Sequence, residues 1–133
     1  MLIFSAFILK VIVLLACLVT FSVAETITMK VDASAYSSTV KQTNSSPFIG
    51  AWGSKLIPGT KSIAISRDLL KKGLKHNSVV KIKGLDGEYV VKDKMNKRWT
   101  KKIDIYMGVD TEAAKEWGVR QVTITFETKK SKG

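Results

Sequence analysis

Cysteine, histidine and proline are nearly missing from this chain of 133 residues, which holds one Cys, one His and two Pro. The Cys, Cys17, lies in an apolar N-terminal stretch, so the rest can form no disulfide and must rest on an apolar core. One His and no further Cys would leave a zinc site to carboxylates, a poor donor set for that metal. Neither a metal nor a cofactor is expected. No Gly-rich phosphate loop is present either, because "GLDG" (84–87) is a hairpin turn built on Asp86-Gly87. Acids are also scarce: 11 Asp+Glu stand against 22 Lys+Arg, a formal charge of +11. Such an excess points to an anionic partner, whether nucleic acid, anionic lipid or an acidic polymer. It is equally compatible with a basic surface that only keeps the protein in solution.

What is present begins with "MLIFSAFILKVIVLLACLVTFSVA" (1–24), which carries Lys10 as its single charge and ends in Ser22-Val23-Ala24. Small residues at the last and third-last places suit a signal peptidase, so residues 1–24 read as a signal peptide cleaved before Glu25. The apolar run after Lys10 is shorter than the roughly 20 residues a membrane span needs. A lipoprotein would use "LLAC" and lipidate Cys17, but "LVTFSVA" continues the apolar run where a polar tether is expected. Residues 25–133 are then one exported domain, periplasmic or extracellular. Export argues against nucleic acid and leaves membrane contact to the leader alone.

Six short β-type runs follow: 27–34, 62–66, 79–84, 88–93, 103–107 and 121–127. Alternation in the first, third and last predicts strands with one buried face. "SRDLLKKG" predicts a short helix stopping at Gly73. "DTEAAKEWG" predicts a second, with Ala113, Ala114 and Trp117 on its apolar face and Gly118 as its stop. The polar, turn-rich 37–48 reads as a loop, and "KKSKG" as a frayed basic tail. Many short strands with little helix predict an all-β fold, a small barrel or sandwich.

His76, in "GLKHNSVV", reads as a solvated loop residue rather than a base. Asp32, Asp86 and Asp110 are explained by a strand end, a hairpin turn and a helix start. Asp93 and Asp104 are not so easily explained. In "KKIDIYMG" alternation sets Ile103 and Ile105 on one face and Asp104 with Tyr106 on the other. A carboxyl between two Ile is partly desolvated, which favours the protonated form that a general acid needs. The alternative is an ion pair between Asp104 and Lys101, Lys102 or Arg98 on an exposed face.

The segments "YVVKDKM", "KKIDIYMG" and "AAKEWGVRQVTI", with "SAYSS" and "PFIGAWG" before them, resemble the 3D domain of bacterial cell-wall proteins, named for three aspartates. The resemblance runs from about Ala35 to Ile124. It implies a double-psi β-barrel, shared with A-type membrane-bound lytic transglycosylases and stationary-phase muralytic factors. It further implies non-hydrolytic cleavage of peptidoglycan glycan strands, leaving a 1,6-anhydro end. Asp93 matches the family's second aspartate and Asp104 its third, the acid. Ser66 stands where the family has its first, and Asn44 where relatives often show Asp.

In this reading Asp104 is the catalytic acid/base and Asp93 its partner. Trp99 is the first candidate for stacking on a sugar, with Trp52 and Tyr36 next, while Tyr106 shares the Asp104 face and Trp117 belongs to the core. Arg98 and Lys94, with Lys92, Lys97, Lys101 and Lys102, form a basic rim suited to stem-peptide carboxylates. Two other functions remain open: a wall-binding module without catalysis on the same barrel, and a secreted basic protein binding nucleic acid or lipopolysaccharide by charge.

Export predicts a mature protein that begins at Glu25. Intact-mass analysis of the exported product checks this, and a diacylated species beginning at Cys17 would overturn it.

Overall fold

The computed structural model describes residues 22–38 and 50–131, with side chains at 24–38 and 50–129. Most of the leader and of the predicted loop, Asn44 included, lies outside the described residues. Six strands are present: β1 (Ser22–Tyr36), β2 (Ser62–Ile65), β3 (Val79–Ile82), β4 (Tyr89–Lys94), β5 (Lys102–Tyr106) and β6 (Arg120–Ser131). A 3-10 helix spans Arg67–Lys72, and α1 spans Thr111–Trp117. The strands close into a barrel in the order β1-β5-β2-β4-β3-β6, within the compact unit Thr26–Thr128. Two pairs, β1–β5 and β2–β4, are parallel, whereas β2–β5, β3–β4 and β3–β6 are antiparallel. The architecture is an all-β closed barrel, one of the two forms the strand pattern predicts, and fits the double-psi β-barrel that the resemblance implies.

Alternation explains which side of each strand lies inside. Val31 and Ala33 on β1, Val80 and Ile82 on β3, Ile103 and Ile105 on β5, and Ile124 and Phe126 on β6 are buried. Their neighbours Lys30, Asp32, Lys81 and Glu127 are exposed. Ile63, Ile65 and Val91 complete an interior of branched aliphatic side chains that fills a barrel of this size. Leu69 and Leu74 join it from the 3-10 helix and the turn after it. Gly73 ends that helix at φ 109°, a left-handed conformation that suits glycine.

Two strands run further than the alternation implies. β1 continues to Tyr36, so Ala35 and Tyr36 extend the strand expected over 27–34. β6 continues to Ser131, so the first part of the expected frayed tail is sheet; backbone pairing extends a strand whatever its side chains.

α1 lies beside the barrel as predicted. Ala114 is buried and Ala113 half-buried, and the Trp117 indole N–H donates to the Ala33 carbonyl at 2.9 Å. Asp110 caps the helix by accepting the Ala113 N–H at 2.9 Å. Asp110→Ala leaves that donor unsatisfied and should cost about 1 kcal/mol of stability. Chemical denaturation of the two proteins checks the value.

Candidate functional site

The strand pairing gathers four side chains into one row on the outer face. On β1 and β5, Ser34 lies in register with Asp104; on β5 and β2, Asp104 lies in register with Ala64; on β2 and β4, Ala64 lies in register with Asp93. Registered neighbours project to the same side of a sheet. Regular alternation after Val91, which pairs with buried Ile63, would send Asp93 inward. A register shift between Ile63 and Ala64 leaves Lys92 as an extra residue and moves Asp93 to the Ala64 row.

The bulge is held from outside. Gly50 packs against the Lys92 carbonyl so closely that a Cβ has no room there. From that position Ala51 donates its N–H to Asp93 Oδ1 at 2.5 Å, and the Lys94 N–H reaches the same oxygen at 2.9 Å. Lys92 Nζ bonds the Asn77 side chain at 2.5 Å.

Asp104 receives the Ser34 hydroxyl at 3.0 Å. Burial pushes its pKa up to about 6; the Ser34 bond and the Lys102 ammonium oppose that rise, and Asp93 adds to it. Burial also raises Asp93, against the two backbone N–H donors and Lys94. The row therefore holds two carboxyls that resist ionisation, one of them protonated into the mildly acidic range. Lys102 tempers the charge of Asp104, yet desolvation prevails.

The aromatic candidates divide into three groups. Tyr36 lies on the Ser34 side of β1 with its ring 5.3 Å from that of Tyr106. Tyr106, the registered neighbour of Tyr36, is 4 % exposed and bonded to the Ser38 hydroxyl, so it offers little surface to a ligand; alternation gives its face but not what covers it. Trp52 is half-buried beside the Asp93 loop, with Lys94 Nζ 5.5 Å from its ring. Trp99, 37 % exposed, carries Lys102 Nζ at 3.8 Å and Arg98 at 4.9 Å from its ring centre. Lys102 thus connects Trp99 to Asp104.

Two sequence readings need correction. His76 is not a solvated loop residue: it stacks on Trp52 at 5.0 Å and bonds the Ser54 hydroxyl, because the loop at 50–54 folds onto it. Ser34 escaped notice altogether. Its position two residues before Tyr36 signals a shared face, but only the parallel β1–β5 pairing brings it to Asp104. Ser66 is fully buried, and its Oγ accepts the Lys102 N–H at 3.0 Å. Asp68, two residues on, lies beside it: its carboxylate takes a hydrogen bond from the Ser66 side chain and accepts the Lys101 N–H at 2.9 Å, pinning the loop before β5. Among the described residues no cluster of three metal-ligating side chains occurs.

No protein-family model matches the chain, and no curated protein matches it. Among solved structures it is similar to a mutant expansin of Clavibacter michiganensis, crystallised in complex with cellohexaose. The TM-score is 0.45 at 15 % identity, over 80 % of this chain and 51 % of that one. This chain therefore spans about half the length of the solved chain it matches. The barrel is established by its own strand pairing.

The raised pKa of Asp104 has a consequence for stability. The folded state holds the proton more tightly than the unfolded state, so the contribution of Asp104 to stability is greatest below about pH 4. It is lost as pH rises through about 6. Asp104→Asn removes this penalty. The variant should gain about 2 kcal/mol relative to wild type between pH 4 and pH 7. Thermal melts at both pH values check the difference, and a constant offset would mean that Asp104 ionises normally.

Proposed function

We propose that this chain is an exported barrel of the 3D type that binds glycan strands of peptidoglycan across the Asp93–Asp104 row. It cleaves them as a lytic transglycosylase, with Asp104 as the acid/base. One observation carries this reading: the Asp104 carboxyl is desolvated, bonded by Ser34, and shifted to about 6. A group in that range can give a proton and then take one back under the same conditions.

The reaction needs no second carboxylate and no water. Asp104 gives its proton to the glycosidic oxygen as the bond from that oxygen to the anomeric carbon of the muramic acid breaks. The resulting carboxylate then takes the proton of the sugar's own 6-hydroxyl while O6 bonds to the anomeric carbon. Proton count is conserved and the product is a 1,6-anhydro ring. Asp93 faces the positive charge that develops at the anomeric carbon and keeps Asp104 protonated. Lys94, Arg98 and Lys102 stand at the edges of the row and suit the carboxylates of stem peptides. Trp52 and Trp99 offer flanking ring surfaces for sugars.

A wall-binding barrel without catalysis is the second reading, and Ser66 favours it. A side chain bonded to the β5 backbone stands where the family has its first aspartate, so the site holds two carboxylates rather than three.

Digestion of purified peptidoglycan separates the two. Wild type should release soluble anhydro-muropeptides, with kcat/KM falling above about pH 6 as Asp104 loses its proton. Asp104→Asn should lower release by about 10²- to 10⁴-fold while still folding. Co-sedimentation with the wall without any anhydro product would favour the binding module. Full activity in Asp104→Asn would make Asp104 a structural residue.

A further inference from the structure

The loop at 50–54 lies on β4 with side chains that are exposed or half-buried, and Ala51, whose N–H reaches Asp93, is itself exposed. An exposed N–H can bond water instead of a carboxylate, so this contact depends on the loop being held. Two backbone bonds close the loop on itself. The Gly50 N–H donates to the Ser54 carbonyl at 2.7 Å, and the Gly53 N–H to the Gly50 carbonyl at 2.9 Å. The closed loop has two sides. Gly50 and Ala51 meet the bulge of β4, whereas Trp52 stacks on His76 at 5.0 Å and the Ser54 hydroxyl bonds His76 Nε2. His76 in turn belongs to a turn fastened to the same bulge. The Asn77 N–H donates to the Val91 carbonyl at 2.8 Å, and the Val91 N–H to the Ser78 carbonyl at 2.9 Å. Lys92 Nζ adds its bond to the Asn77 side chain. Residues 77–78 thus grip Val91 and Lys92 from one side and residues 50–51 from the other, and His76 joins the two grips.

We infer that His76 is a positioning residue for Asp93, which keeps the Ala51 N–H on the carboxyl by holding Trp52 and Ser54. The role rests on the reading of the Asp93–Asp104 row as the reacting site. His76 acts only through the loop. A flat imidazole suits the task, because its face stacks on an indole while its edge bonds a hydroxyl. The Ala51 bond matters because it favours ionised Asp93 against burial, and ionised Asp93 is what faces the developing positive charge.

The test follows the Ala51 amide proton by NMR while Asp93 titrates. A bonded amide proton shifts when its acceptor is protonated, so in wild type the two signals should share one midpoint. In His76→Ala the Ala51 proton should stop following Asp93. The Asp93 midpoint should rise, since a donor to its carboxylate is lost. His76→Phe keeps a ring against Trp52 and should restore most of the coupling. Ser54→Ala breaks one link with His76 in place, and should move Asp93 in the same direction even where His76→Ala fails to fold. Asp110→Ala lowers stability elsewhere and should move neither signal. With peptidoglycan as substrate, His76→Ala should lower kcat/KM about 10- to 100-fold. An Ala51 proton that ignores Asp93 in wild type, or still follows it in His76→Ala, overturns the inference. A raised midpoint without that uncoupling reflects lost imidazolium charge and overturns it too. So do absent rescue by His76→Phe, an unmoved Asp93 in Ser54→Ala, shifted signals in Asp110→Ala, or wild-type turnover in an uncoupled variant. If wild type itself releases no anhydro product, the catalytic reading fails separately, and the Ala51 and Asp93 signals still decide whether His76 holds the loop.

Discussion

Asp93 and Asp104 share a face because β4 carries one residue, Lys92, that β2 does not match. Side-chain direction in a strand has a period of two, so a shift of one residue moves everything beyond it to the other side. Without the shift Asp93 would enter the apolar interior beside Val91, where an ionised carboxylate is strongly disfavoured. With it, Asp93 joins Ser34, Asp104 and Ala64 on the outer face. The bulge is fixed by Gly50 against the Lys92 carbonyl and by the Ala51 N–H on Asp93. The same loop brings Trp52 and, through it, His76. A backbone irregularity thereby determines the local chemistry of most of the site.

The basic character of the chain acquires a more specific meaning around this row. Lys94 and Lys102 act on Asp93 and Asp104 without outweighing their burial, and the cations around the row have other partners as well. Arg67 donates to the Met95 carbonyl, Lys92 to the Asn77 amide, and Lys94, Arg98 and Lys102 lie over indole rings. Carbonyls and π faces hold a cation in place without cancelling its charge. The acids are correspondingly left desolvated rather than paired, and the rim keeps its positive field for an anionic ligand. A tight salt bridge to Asp104 would have lowered its pKa and removed the group most useful as an acid.

Much of the architecture was legible before any coordinates. All six strands follow from β-branched runs and alternation, and α1 from Asp110, its apolar face and Gly118. The two acids could be singled out because Asp32, Asp86 and Asp110 had ordinary explanations in a strand end, a hairpin turn and a helix start. Less legible were Tyr106, whose outward alternation conceals that Ser38 and Tyr36 cover it, and His76, whose polar neighbours conceal its stacking on Trp52. In both cases the decisive contact comes from a segment distant in the chain.

The amino-acid order by itself determined local matters: where strands and the helix begin, which residues alternate inward, and the excess of positive charge. These depend on neighbours within a few positions, where backbone periodicity and side-chain chemistry act directly. Only tertiary structure decided which strands lie side by side, that β4 is shifted against β2, and that Ser34, Tyr36, Asp93 and Asp104 face one another. Parallel pairing across long connections leaves no periodic trace in sequence. The pKa of Asp104 depends on how completely those distant segments remove it from water, so it too was set by the closed barrel.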